Sequence, residues 1–171
     1  VEIHGAHGYL LGEFLSPLTN HRTDRYGGNL NERLTFAREV IAAVREAVGK
    51  GYPLFYRLGA DDCLAGGLSA VEGRDAARHL AAAGIDCIDI SGGLIGSARN
   101  IFTAAGYFVP RAEAVKKEVA IPTIGVGNIR EADCAEKMVR EGRIDLVAIG
   151  RALLQDPRWA ERAAKSLGIT P

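Results

Sequence analysis

The sequence predicts an α/β protein built on a parallel sheet, and three observations carry the prediction. Five short apolar runs mark the chain: VEI at residues 1–3, PLFYRL at 53–58, DCIDI at 86–90, PTIGV at 122–126 and DLVAI at 145–149. They are continuous rather than alternating, as in strands buried on both faces. Helical periodicity fills each gap between them. The loops expected at the carboxyl ends of the strands (4–29, 59–69, 91–109, 127–128 and 150–156) are long and rich in special residues, and those at the other end are short. A βαβαβαβαβα order implies right-handed crossovers. It leaves an open doubly wound sheet or part of a (β/α)8 barrel. The loaded carboxyl-end loops point to the barrel, although five strands cannot close a standard eight-stranded one.

The helices are justified in turn by periodicity and punctuation. Residues 30–48 place Leu30, Leu34, Ala37, Val40, Ile41, Val44 and Val48 at three-to-four spacing, with Asn29 as N-cap and Glu32 three residues on. Ser69 and Glu72 form a second capping box, for a helix running to about Ala83 and ended by Gly84. Pro110 suits the first turn of a helix stopping near Glu118. Asn128 and Glu131 are read as capping a helix to about Glu141, and Asp156 and Pro157 as opening the last, to about Leu167. No linker, internal duplication or low-complexity segment interrupts the pattern.

Composition narrows the function. The chain has 171 residues, 47% hydrophobic and 25% charged, with a formal net charge of zero, which is typical of a globular domain. It has no basic field for nucleic acid or an anionic membrane surface. No apolar run approaches the ~20 residues of a membrane span, and the opening VEIHGAHG lacks the build of a signal peptide. Cys63, Cys87 and Cys134 match no metal-ligand spacing and read as free thiols in a reducing cytosol. The chain lacks an initiating Met and opens inside a strand, so a fragment is expected.

Two motifs carry chemistry. HGAHGY puts His4, His7 and Tyr9 within six residues, padded by Gly5, Ala6 and Gly8. GVGNIR and IGRALL put Gly125, Gly127, Gly150 and Arg151 at the ends of the last two strands, just before helix-forming sequence. Glycine lets an anion approach the backbone, N–H groups at a helix start point at it, and an arginine can fork onto phosphate. Each glycine motif alone could be only a tight turn. Two on successive units, with an arginine, favour phosphate. GxGxxR differs from the dinucleotide fingerprint, so a mononucleotide phosphate fits better.

HGAHGYLLGEFLSPLTNHRTDRYGGNLNERLTF resembles the Old Yellow Enzyme family of FMN-dependent ene-reductases, the NADH:flavin oxidoreductase group, and its short bacterial thermophilic-like branch in particular. FYRLGADD, CIDISGG, PTIGVGNIR and LVAIGRALLQDPRW follow in the family's order, so the resemblance spans about residues 1–165. It implies a (β/α)8 TIM barrel holding FMN at the carboxyl ends of its strands. Residues 1–171 would be the C-terminal part of that domain, strands 4 to 8, with the first three βα units missing. It implies a cytoplasmic enzyme with NAD(P)H as reductant and an enone or related activated alkene as substrate. It leaves room for a homo-oligomer in the full-length protein.

By the same resemblance His4 and His7 hydrogen-bond the substrate carbonyl oxygen, and Tyr9 delivers a proton to the α-carbon. Arg57 lies beside the flavin ring. Ser91 and Gly92 lie near the ribityl-phosphate tail, with Gly93 in the same turn. Gly127, Gly150 and Arg151 contact phosphate, and Gly125 is structural. Residues 20–28 are read as a loop pinned by Arg–Asp pairs that frames the pocket. His21, His79 and Trp159 are given no catalytic role. Three alternatives stand beside this: histidines satisfied structurally, a metal-dependent barrel hydrolase using His4 and His7, and an incomplete barrel without activity of its own. The chain lacks the cysteine cluster of larger relatives that reduce dienoyl-CoA, and it keeps both histidines, where those relatives tend to lack one.

Overall fold

The computed structural model describes residues 1–97 and 103–169. Residues 98–102 of the expected 91–109 loop lie outside them. The five expected strands are β1 (Glu2–Gly5), β2 (Phe55–Gly59), β3 (Cys87–Ser91), β4 (Thr123–Gly125) and β5 (Leu146–Val147). All neighbours are parallel, and the sheet order is the chain order, β1-β2-β3-β4-β5. A doubly wound sheet reverses its order at a switch point; here there is no reversal.

The helices are α1 (Leu10–Leu15), α2 (Leu30–Arg33), α3 (Thr35–Val48), α4 (Ala70–Ala82), α5 (Val109–Lys116), α6 (Ala132–Arg140), α7 (Arg151–Gln155) and α8 (Trp159–Ser166). Both capping boxes form: Asn29 with Glu32, and Ser69 with Glu72. Pro110 sits in the first turn of α5.

The departures have physical causes. The expected 30–48 helix breaks at Leu34, whose backbone (φ −83°, ψ −7°) tightens the turn. Just before the break, the buried Arg33 donates to the carbonyls of Leu15 and Gly28 and pairs with Glu72 at 3.0 Å, which holds the loop before α2 against α4. Asn128 does not cap α6. It adopts φ +51°, donates to Thr103 O and accepts from Arg130 Nε, and α6 starts after Glu131, which makes no side-chain cap. Asp156 closes α7 and accepts from Arg158 N, so α8 begins later than Pro157 suggested.

Ile3, Tyr56, Leu58, Ile88 and Ile90 join Leu34, Ile41, Leu80, Val109, Ala112 and Ile144 in one core between sheet and helices. Strand side chains alternate, so Glu2, His4, Arg57 and Asp89 look the other way. Gly5 turns to the helix side, where a Cβ would collide with the buried Tyr56 ring. Its smallness therefore serves packing rather than ligand approach. The 20–28 loop carries the expected Arg22–Asp24 pair, but it packs on the Phe14–Tyr26–Phe36 aromatic cluster, away from the large cleft described below.

At Gly73, α4 packs tightly on the end of β2: a Cβ there would collide with the carbonyl of Ala60, just beyond that strand. Gly73→Ala should push α4 off β2 and cost about 3 kcal/mol, the upper end for overpacking. Ser69→Ala, which removes only a cap, should cost about 1 kcal/mol. Chemical denaturation of both variants checks the order; a Gly73→Ala variant as stable as the parent chain would contradict this packing.

Candidate active site

A cleft of about 800 Å³ opens at the carboxyl ends of the strands. The turn after β1 contributes His7, Gly8 and Tyr9; β2 gives Arg57; the turn after β3 gives Ser91, Gly92 and Gly93. Val126 to Arg130 follow β4, and Ala148 to Ala152 follow β5. The described lining contains three arginines, Arg57, Arg130 and Arg151, and no Asp or Glu. A chain of zero net charge thus presents a cationic cleft, suited to an anionic ligand.

At one end sits the HGAHGY group. The rings of His4 and His7 are 5.5 Å apart, as are those of His4 and Tyr9. His7 and Tyr9 line the cleft, whereas His4 stands exposed beside it. His7 holds φ +62°, a left-handed conformation uncommon outside glycine. A 2.8 Å hydrogen bond joins its Nε2 to Ser91 Oγ, so the Ser91 hydroxyl is turned to the histidines. Gly8 is required locally: its φ is +78°, and a Cβ there would come within 2.7 Å of Ile95 Cγ1. Ile95 is itself left-handed (φ +49°) and exposed at the cleft edge.

Burial pushes His7 down to about 4, helped by the positive charge of Arg57 and by His4. His4 is lowered by burial and Arg57 against the opposing pull of Glu2. Both rings are neutral near pH 7, each with one N–H to donate. Arg57 pairs with the buried Asp89 at 3.0 Å.

The other end holds the glycine turns. Gly127 has φ +120°, and a Cβ there would crowd the backbone of Tyr107 and Phe108. Gly92 faces Asp61 O and the Phe108 ring, and Gly125 faces Ile144 and Val109 on the helix side. Gly150 has nothing within 4 Å of a built Cβ, and Arg151 begins α7 beside it. The sequence reading passed over Arg130, Asn128, Tyr107 and Phe108 as site residues. Arg130 was legible as the R of GxGxxR. Trp159 Nε1 donates to its backbone carbonyl at 2.6 Å, so the tryptophan braces this corner. Tyr107 and Phe108 carry no sequence signal, because a long loop returns them to the cleft.

Among the described residues no group of three or more His, Cys, Asp or Glu side chains could hold a metal ion. Cys63, Cys87 and Cys134 are free thiols, and among the described residues no helix is long and apolar enough to cross a membrane.

Residues 1–169 match the model of the NADH:flavin oxidoreductase / NADH oxidase family. An NADPH dehydrogenase of Geobacillus thermodenitrificans is 46% identical over 169 residues, which are 99% of this chain and 49% of that protein. An NADH oxidase of Thermoanaerobacter brockii is 44% identical over 167 residues, 95% of this chain and 26% of that protein. This chain therefore spans about half the length of the first relative and about a quarter of the second. Among solved structures, a 2-naphthoyl-CoA reductase in complex with 2-naphthoyl-CoA superposes with a TM-score of 0.89 at 34% identity, covering 97% of this chain and 26% of that one. Morphinone reductase in complex with tetrahydroNAD gives 0.77 at 25% identity, covering 99% and 44%.

The histidine electrostatics can be measured directly. In the folded chain His7 should stay neutral until pH approaches 4, against 6.5 for an unperturbed imidazole. A lowered folded value contributes stability that is present above pH 6.5 and lost as pH falls towards 4. Arg57→Met should raise the His7 midpoint part of the way back, since burial remains. Imidazole ¹³C shifts across a pH titration would show it; a midpoint near 6.5 in the parent chain would contradict the burial.

Proposed function

Because the chain belongs to the NADH:flavin oxidoreductase / NADH oxidase family, we propose that it is the C-terminal part of an FMN-dependent NAD(P)H oxidoreductase. In this reading it reduces the C=C bond of α,β-unsaturated carbonyl compounds, and β1 to β5 are strands 4 to 8 of a (β/α)8 barrel. The unreversed strand order supports the barrel. The observation that carries the function is the single cleft that gathers the His7–Tyr9 end, Arg57 and both glycine turns.

The residues present suit FMN. Arg130 and Arg151, with the backbone at Gly127 and Gly150, would hold the phosphate, and the open space at Gly150 leaves its backbone approachable. Gly92 and the backbone of Ser91 would stand along the cofactor's tail, with the Ser91 hydroxyl turned to His7. Arg57 would offer a cation to the ring, which favours an anionic reduced state. FMN, when bound, would supply the hydride chemistry, with NADH or NADPH as the reductant.

The chain's own residues do the rest. As the alkene is reduced, negative charge grows on the carbonyl oxygen. Two neutral imidazoles, His4 and His7, donate hydrogen bonds there, as an oxyanion hole does. Ser91 Oγ already engages His7 Nε2, so the substrate oxygen either displaces that hydroxyl or takes Nδ1–H. Tyr9, with 64% of its surface exposed, has its phenol free to deliver a proton to the α-carbon as general acid.

The test is a visible spectrum of the purified chain after adding FMN and removing the excess by gel filtration, followed by assay with NADPH and a simple enone. A retained flavin band and enone reduction are expected. His4→Ala with His7→Ala should lower kcat/KM for the enone about 10²–10³-fold. Tyr9→Phe should slow the enone step about 10²-fold while leaving NADPH oxidation intact. A colourless protein would refute FMN binding by this chain, and unchanged rates in the double variant would refute the histidine roles.

A further inference from the structure

Asp89 is a buried carboxylate with no part in the mechanism above. It lies in mid-β3, and the sheet register aligns His4, Arg57 and Asp89 in one row across three strands. Asp89 does not line the cleft; Arg57, next to it, does. The Asp89 side chain is 3% exposed and holds Arg57 Nη1 at 3.0 Å, while the arginine is 28% exposed. We propose that Asp89 is the positioning residue for Arg57: it grips one guanidinium nitrogen from beneath and leaves the rest of that group turned into the cleft.

Two further observations support this. Arg57 Nε and Asp89 Oδ1 are buried and find no other partner among the described residues. The Nη1–Oδ2 ion pair is thus the polar contact that joins the two side chains. The grip is also titratable. Burial raises Asp89 to about 6, against the lowering pull of Arg57 and with a small raising push from Glu2. The charged or titratable groups facing it are Arg57 on β2, Glu2 on β1 and Cys87 on its own strand; β4 brings only Ile124 alongside. Above pH 6 the pair is neutral overall and locked. As pH falls through about 6 the carboxylate takes up a proton, the lock loosens, and Arg57 presents an uncompensated charge.

The inference rests on the proposed function for the identity of the ligand, but its first test needs no ligand. In ¹⁵N NMR of the ligand-free chain, the Arg57 Nη protons should be resolved and slowly exchanging at pH 7.5. They should average as pH falls through about 6, and also at pH 7.5 in Asp89→Asn; Asp89→Glu, which keeps the charge, should partly restore them. Resolved signals that persist in Asp89→Asn, or that ignore pH in the parent chain, would overturn the proposal. The second test is FMN titration. Asp89→Asn should raise the Kd about tenfold, through loss of the ion pair that orients Arg57. Asp89→Asn should add nothing to Arg57→Met, because it acts through Arg57. Additive losses would overturn the positioning role. A chain that binds no FMN would instead refute the proposed function and leave the NMR result to decide this one.

Discussion

The site depends on one constraint: five parallel strands hydrogen-bonded in chain order. Parallel pairing then makes each strand deliver its carboxyl end to the same edge. Side-chain alternation does the sorting. Ile3, Tyr56, Leu58, Ile88 and Ile90 go to the helices, and His4, Arg57 and Asp89 go to the opposite face in one row. A slip of one residue in β2 would exchange Arg57 for Tyr56 or Leu58 and bury a guanidinium among aliphatics. The hydrophobic core thus specifies the register, and the register places the charges.

Once placed, the charges are tuned by burial more than by each other. The largest influence on His7 and on Asp89 is loss of water, and it favours the neutral form in both. Arg57 lowers all three groups: on the histidines it adds to burial and favours the neutral ring, and on the aspartate it opposes burial and favours the charged carboxylate. The arrangement keeps two neutral donors beside a fixed cation. Acidic side chains stand outside the lining. Asp61, next to the cleft, pairs with Arg111 at 2.6 Å, which keeps its charge from offsetting Arg57, Arg130 and Arg151.

Long, strongly patterned features were legible in the sequence. The strands announced themselves as apolar runs, and two helix starts as capping boxes, because both signals are local. Two short helices, α1 and α7, lie inside segments bounded as loops, although the sequence after Gly150 reads as helix-forming. At six and five residues they are too short to show a period, and neither has a side-chain cap. Asn128 and Glu131 imitate a capping box, but Asn128 serves Thr103 and Arg130 instead. Proximity across the fold was the least legible property. His7 and Ser91 are separated by 84 residues, and no local pattern forecasts their hydrogen bond. Tyr107 and Phe108 reach the cleft only through the path of a long loop.

The glycines show how a motif divides into packing and ligand roles. In local pattern they are alike, small residues at strand ends, and only the family resemblance sets Gly125 apart as structural. What a side chain would meet separates them. Gly5 and Gly125 look into the helix layer, where Tyr56 and Ile144 leave no room. Gly92 and Gly127 line the cleft, yet Phe108 and the Tyr107 backbone already exclude a Cβ, so each would be glycine even without a ligand. Gly150 differs: it lines the cleft at φ −105°, and among the described residues, its chain neighbours aside, nothing stands within 4 Å of a built Cβ. Neither backbone strain nor packing demands glycine there. What bare backbone offers at that point is room for a ligand to approach beside Arg151. Of the two glycine turns, the one after β5 therefore carries the stronger case for an anion, although the one after β4 has the more elaborate pattern.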